Sequence, residues 1–110
     1  MLFASRHYGE AVRATFAALV NEVKDKAERQ DLDGAQLMTH AFRPNDPILR
    51  LSNVADEQQG WMELFKGSVA VIRNPLSHTA TSNIDAEEAN ELLAFASFLF
   101  GTLDKATKVK

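Results

Sequence analysis

The sequence predicts an all-α protein, an up-and-down bundle of about four main helices. Three observations predict it. Apolar residues recur at helical spacing in several long stretches, no segment shows sustained alternation, and proline, glycine and aspartate fall between the periodic stretches. With 110 residues, 45% apolar and 25% charged, the chain is typical of one globular domain over residues 1–110 with one core.

The first two predicted helices are separated by the turn 31–34. The first runs from about Ser5 to Gln30, and the second is short, capped by Asp33 and ended before Pro44. The residues predicted to face inward are Val12, Phe16, Leu19, Val20, Val23 and Ala27 on the first, and Leu37, Met38, Ala41 and Phe42 on the second. His40 lies among the latter, where a half-buried histidine is a better interpretation than a metal ligand.

The stretch 43–53 contains two prolines followed by the apolar sequence ILRL. It predicts a loop with one extended piece, held to the core by Ile48, Leu49 and Leu51. Arg43 and Arg50 are expected to be exposed there. They are candidates for contact with a phosphate, although surface arginines more often serve solubility.

The third predicted helix is long and amphipathic, and polar side chains follow directly after its C-terminal end. Asp56 is the expected N-cap, with Gln59 completing a capping box, and Pro75 is expected to end the helix near Arg73 or Asn74. The predicted core stripe is Trp61, Leu64, Phe65, Val69 and Ile72. Gly60 and Gly67 share one side of this helix, which predicts close approach of another helix, either within the bundle or across a dimer.

The fourth predicted helix follows a polar connector. Asp85 is its expected N-cap and Glu88 stands at the capping-box position. The core stripe is Leu92, Leu93, Ala96, Leu99, Phe100 and Leu103, widened by Phe95 and Phe98, so we expect burial on more than one side. Lys105, Lys108 and Lys110 are expected at the helix end and in a frayed tail.

Composition limits the chemistry. The chain has no cysteine, which excludes disulfides and thiolate metal sites, and no apolar stretch is long enough to cross a membrane. We therefore expect a protein of a reducing, cytoplasmic compartment. No cofactor is expected, because the sequence has no glycine-rich phosphate loop. The net charge of −3 argues against broad coating of a nucleic acid and favours a small local site.

Arg73, Asn74 and His78 form the candidate catalytic group because the helix break directs them away from the core. Cleavage of RNA by its own 2′-hydroxyl needs a proton carrier and positive charge at the phosphorus. A histidine titrates near neutral pH, and an arginine can donate two parallel hydrogen bonds to a phosphoryl group. Arg43, Arg50, Lys66 and Ser77 are candidate RNA contacts.

Two segments, LDGAQLMTHAF and DEQQGWMELFKGSVAVIRNPLSH, together resemble the Ymh/Abi-associated bacterial and phage family of the HEPN superfamily. The resemblance extends from about Leu32 to the C-terminus and includes the Arg-Asn…His motif of that superfamily. It implies a helical bundle, a homodimer with two motifs in one cleft, and metal-independent cleavage of single-stranded RNA. Such proteins act in phage defence, abortive infection and toxin–antitoxin systems, so an antitoxin or sensor partner is expected, and the chain could be the C-terminal part of a longer protein.

The alternative is a catalytically silent module of the same superfamily. It would bind a nucleotide, RNA or a partner protein as a scaffold or sensor. Such modules commonly lack the arginine or the histidine, whereas this sequence keeps both. Ribonuclease activity is therefore the leading hypothesis.

Overall fold

The computed structural model describes residues 2–73 and 84–109 of the chain, with side chains from His7 onward. Over these residues it contains four α-helices and two short strands. They are α1 (Leu2–Ala27), α2 (Gly34–Phe42), β1 (Leu49–Arg50), α3 (Ala55–Ile72), α4 (Ala86–Asp104) and β2 (Thr107–Lys108). The predicted all-α bundle is confirmed.

The helices pack as two main pairs, α1 with α4 and α2 with α3, and α1 also contacts α2 and α3. Three of the phenylalanines whose side chains the structure describes are fully buried: Phe16, Phe42 and Phe65. Phe42 and Phe65 stack with ring centroids 4.6 Å apart, and Phe16 contacts the half-buried Phe95. The first pair joins α3 to α2, and the second joins α1 to α4, at the opposite end of the sequence.

Helix α1 covers residues 2–27, so the predicted bounds of 5 and 30 are both three residues too late. It ends because Glu28 adopts a left-handed backbone with φ of 55°. The amide of Arg29 then donates to the carbonyl of Lys24, closing the last turn. The inward stripe of α1 and that of α2 are confirmed.

Helix α3 differs from its prediction in its cap and in part of its stripe. Val54, not Asp56, is the N-cap, and it makes no side-chain cap hydrogen bond. Leu64 is 38% exposed, while Met62 and Gln58 are buried in its place. The buried residues are Gln58, Met62, Phe65, Val69 and Ile72. The helix does stop at Arg73, as predicted from Pro75.

Gln58 is the one buried polar residue among those that the structure describes, with 1% of its surface exposed. Its Oε1 accepts from the amides of Leu51 (2.9 Å) and Ser52 (3.0 Å). Its Nε2 donates to the carbonyls of Phe42 (2.9 Å) and Leu49 (3.0 Å). This one side chain therefore fastens the loop between α2 and α3 to the start of α3.

The same loop is also fastened to the C-terminal tail. β1 and β2 pair antiparallel, with Leu49 opposite Lys108 and Arg50 opposite Thr107. The amide of Val109 donates to the carbonyl of Ile48 at 2.8 Å. The predicted frayed tail is therefore wrong for residues 107–109, while Lys110 lies outside the described residues. The prediction that Ile48, Leu49 and Leu51 hold the loop to the core is confirmed, with the first two buried and Leu51 half-buried against the core.

Helix α4 begins as predicted, with the Asp85 carboxylate accepting from the amide of Glu88 at 2.8 Å. Ala96, Leu99 and Leu103 are buried. Phe98, however, is 55% exposed and contacts Trp61 of α3 with ring centroids 6.1 Å apart. The expectation that Phe98 adds a second buried side to α4 is wrong.

Candidate functional site

Arg73 closes the C-terminal end of α3. Its amide donates to the carbonyl of Val69 at 3.0 Å, and its backbone remains helical with φ of −88° and ψ of −20°. Val69 and Ile72, immediately before it, are buried in the core. The apolar face of α3 therefore fixes the position from which the Arg73 side chain extends.

The guanidinium of Arg73 is bound by a carboxylate from another helix. Its Nη2 donates to Oδ1 of Asp33, which is 40 residues earlier in sequence and stands at the start of α2. Lys24, in the last turn of α1, places its Nζ 3.6 Å from the same oxygen. The last turn of α1, the N-cap of α2 and the C-cap of α3 thus contribute one charged group each to a single cluster. We call it the charge cluster: Lys24, Asp33 and Arg73.

Asp33 has the predicted backbone position of an N-cap but uses its side chain differently. Its backbone is extended, and its carboxylate makes no cap hydrogen bond to α2. Its hydrogen bond with Arg73, assisted by the amide of Gly34 and by the charge of Lys24, holds the pKa of the Asp33 carboxyl below its ordinary value. The carboxylate is therefore an anion throughout the neutral range.

The turn that carries Asp33 is closed by its own contacts. Arg29 donates to both oxygens of Asp31, at 3.0 and 2.9 Å. Gly34 follows Asp33 with a left-handed φ of 53°, a conformation that a residue with a Cβ adopts at a cost of about 1 kcal/mol. Asp31 and Gly34 thus flank Asp33 in one short turn, and the Arg29–Asp31 pair is separate from the pair that Asp33 makes with Arg73.

Of the three predicted catalytic residues, Arg73 is described by the structure, whereas Asn74 and His78 lie outside the described residues. Ser77, a predicted RNA contact, lies outside them as well. Lys66 is exposed on α3, seven residues before Arg73 and so on the same side of the helix, about 10 Å along its axis. Lys66 and Arg73 are therefore compatible with one continuous surface.

Arg43 and Arg50 are far from this surface and are half-buried, not exposed as predicted. Both adjoin the Gln58 end of α3, which the helical rise places about 20 Å from Arg73. The Nε of Arg43 also donates to the carbonyl of Asp46 at 3.2 Å. The structure therefore does not bring Arg43 or Arg50 to the charge cluster.

Sequence reasoning missed Lys24 and Asp33 as members of the site. Asp33 is predicted from the sequence as an ordinary helix cap, and no motif in the sequence singles out Lys24. No local pattern links either residue to Arg73, because the contact forms only when α1, α2 and α3 pack. The residue predicted as a half-buried histidine, His40, is half-buried.

The described part of the chain contains no group of three or more histidine, aspartate or glutamate side chains placed to hold a metal ion. Likewise, none of the helices in that part combines the length and the apolar character needed to span a bilayer.

The fold and this cluster define a small all-α bundle that presents a paired arginine at the end of an internal helix. Comparison with known proteins gives the family: residues 1–103 match the model of Hypoth_Ymh, described as a protein of unknown function, and the chain belongs to this family. Neither a curated protein nor a solved structure matches the chain.

Proposed function

We propose that this protein is a metal-independent endoribonuclease of the HEPN type, with Arg73, Asn74 and His78 as its catalytic residues. The observation that best supports the proposal is the position of Arg73. Its guanidinium stands at the end of a helix that is anchored in the core, and an anionic group already occupies it. A group that binds a carboxylate in this way can also bind a phosphoryl group.

In the proposed reaction, the 2′-hydroxyl of one nucleotide attacks the adjacent phosphorus. A histidine removes the proton from this hydroxyl, and a protonated histidine gives a proton to the departing 5′-oxygen. Arg73 stabilises the extra negative charge on the phosphorane, and Asn74 holds a phosphoryl oxygen or orients the imidazole. The products are a 2′,3′-cyclic phosphate and a 5′-hydroxyl.

The reaction needs one group as general base and another as general acid, and His78 of one chain can fill only one of these roles. The proposal therefore includes a homodimer with two motifs in a shared cleft. An exposed face of α3 suits such an interface. Leu64 is 38% and Val71 57% exposed, and Gly60 and Gly67 lie on the same side of the helix. Among the residues that the structure describes, no other element comes within 4 Å of where a Cβ of Gly60 or Gly67 would stand. The close approach expected within the bundle is not found there, and we retain the approach across a dimer.

We place the activity in the cytoplasm, against single-stranded RNA, in phage defence through abortive infection or in a toxin–antitoxin system. An antitoxin or sensor protein would then control it. No cofactor is required, because the nucleophile belongs to the RNA itself.

The test is incubation of the purified protein with labelled single-stranded RNA in EDTA. We expect cleavage to cyclic-phosphate ends, and no cleavage where the sugar at the cut site is 2′-deoxy. His78→Ala and Arg73→Ala should each reduce the rate by about a thousandfold, and Arg73→Lys should recover little, because a lysine cannot donate two parallel hydrogen bonds.

Arg29→Ala is the matched control for Arg73→Ala. Arg29 also pairs with an aspartate of the turn before α2, at 2.9 Å, so its loss removes the same kind of ion pair. The control should cleave at the wild-type rate. Cleavage of the 2′-deoxy substrate would refute the mechanism, and intact RNA with every variant would refute the activity.

The second candidate is the catalytically silent module that binds nucleotide, RNA or a partner protein. The ion pair of Arg73 with Asp33 favours it, because a structural arginine would also bind a carboxylate of its own chain. Thermal unfolding separates the two functions. A silent scaffold predicts that Arg73→Ala lowers the melting temperature, whereas a catalytic role predicts a melting temperature close to that of the wild type.

A further inference from the structure

The charge cluster differs from the local ion pairs of the same structure in how its cations are buried. Arg73 and Lys24 each have 20% of the side chain exposed, while the Asp33 side chain between them is 57% exposed. In the two local pairs, Arg29–Asp31 and Arg43–Asp46, the arginine is 36% and 37% exposed. The cluster therefore has two largely covered cations beneath an open carboxylate.

Its charges are also unequal. Two cations share one carboxylate oxygen, so these three groups together carry a net charge of +1, from two positive charges and one negative charge. The two cations come from the end of α1 and the end of α3, and both helices are held by the core. The Asp33 carboxylate is more exposed than either cation that it pairs with, so an incoming anion would compete with it for the same two cations.

We propose that the Asp33 carboxylate occupies an RNA phosphate subsite formed by Lys24 and Arg73, so that substrate phosphate and Asp33 compete for the same two cations. The inference rests on the proposed function and deepens it. It adds Lys24 as a substrate-binding residue and makes Asp33 an internal competitor. Carboxylate and phosphate suit the same site because both present two oxygens to the guanidinium at similar spacing.

The experiment measures binding separately from cleavage. The probe is a fluorescent single-stranded RNA with 2′-O-methyl groups throughout, which has no free 2′-hydroxyl and cannot be cleaved by the proposed route. Asp33→Asn removes the competing charge and keeps a residue that is equally suited to the N-cap position. We expect about fivefold tighter binding, from the loss of one anionic group within 4 Å of the phosphate.

The salt dependence provides a second readout. Releasing one further cation to phosphate should steepen the logarithmic slope of affinity against salt by about 0.7 for a single strand. Lys24→Gln, added to Asp33→Asn, should remove most of the gain in affinity and the added slope. In the wild-type background, Lys24→Gln alone should weaken binding.

The matched control is Asp31→Asn. It changes the net charge by the same amount, in the same turn, but breaks the pair with Arg29 instead. It should leave the affinity for RNA within about twofold of the wild type. Asp31→Asn releases Arg29, which is outside the proposed subsite, whereas Asp33→Asn releases Arg73. Equal effects of the two substitutions would overturn the inference, since only general charge would then matter.

A lower affinity in Asp33→Asn with unchanged melting temperature would also overturn it, because Asp33 would then position Arg73 for binding. If Asp33→Asn does not fold, Lys24→Gln and competition by inorganic phosphate on the wild type decide the matter. Loss of competition in Lys24→Gln supports the subsite, and unchanged competition refutes it.

Parallel incubation with unmodified RNA in EDTA keeps the two proposals apart. Tighter binding by Asp33→Asn without cleavage by any variant would retain the phosphate subsite and reject the ribonuclease. Cleavage by the wild type with no difference between Asp33→Asn and Asp31→Asn would do the reverse.

Discussion

Helix α3 is held at its two ends by different kinds of contact. At the N-terminal end, Gln58 is 1% exposed and makes four hydrogen bonds to backbone groups, all between 2.9 and 3.0 Å. At the C-terminal end, Arg73 is paired with Asp33, whose side chain is 57% exposed. The first contact is neutral and sealed from water, and the second is ionic and open to it.

This difference has an energetic consequence. Removal of the Gln58 amide group leaves four backbone groups without a partner. The protein then loses much stability, because each unsatisfied buried group costs about 1–3 kcal/mol. An ion pair in contact with water contributes about 0–1 kcal/mol, because water and salt can replace either partner. The N-terminal end of α3 is therefore suited to stability, and the C-terminal end to exchange of one anion for another.

The largest expected effect on stability is that of Gln58→Leu. The substitution introduces an apolar side chain of similar volume and leaves the amides of Leu51 and Ser52 and the carbonyls of Phe42 and Leu49 without their partner. We expect a loss of about 3 kcal/mol in the free energy of unfolding, measured by urea denaturation.

Gln59→Leu is the control for this change. Gln59 is the next residue, is half-buried, and its amide group donates to the side-chain carboxylate of Glu63, at 2.8 Å. We expect a change within about 0.5 kcal/mol. Equal losses from the two substitutions would contradict the role given to the Gln58 hydrogen bonds.

The two ends of α3 also differ in how far the sequence predicts them. Pro75 predicts the end of the helix at Arg73, because the effect of proline is local and steric. Gln58 gives no such signal. It is one of two adjacent glutamines, and its burial depends on the carbonyls of Phe42 and Leu49, which approach only after the loop has folded back.

The fold as a whole is predicted better than its polar contacts for the same reason. Periodic apolar residues specify which face of a helix is buried, and this suffices for α1, α2 and most of α4. The same periodicity gives the wrong result at Leu64 and Met62. Fixed spacing along one helix does not show which of two nearby side chains the packed helix will cover. The Asp33–Arg73 pair cannot be predicted in this way at all. Its partners are 40 residues apart in sequence, and no local pattern links them.

An intermediate effect is expected at the start of α3, from Ser52→Ala. The Ser52 hydroxyl accepts from the amide of Val54 at 3.0 Å and donates to the carboxylate of Glu57 at 2.6 Å. Its loss should cost about 1 kcal/mol, as for other capping side chains. Asp56→Ala, at the position that the sequence predicts as the cap, should cost less than about 0.5 kcal/mol, because only its interaction with the helix dipole is lost.

Denaturant titration of both variants measures the difference. A greater loss from Asp56→Ala than from Ser52→Ala would show that the capping box predicted from sequence operates in solution.

The smallest expected effect is the pH dependence of the Asp33–Arg73 pair. Because the pKa of Asp33 is lowered in the folded protein from its ordinary value of 3.8, its contribution to stability is fully present above that value. It is lost as the pH falls through the lower, folded pKa. The free energies of unfolding of the wild type and Asp33→Asn should therefore differ by less than about 1 kcal/mol at neutral pH and converge below pH 3.8.

Gln58 has no proton to gain in this range, so the loss caused by Gln58→Leu should persist at acid pH. A difference between the wild type and Asp33→Asn that grew as the pH fell would reverse the sign and show that Asp33 is better accommodated as a neutral acid.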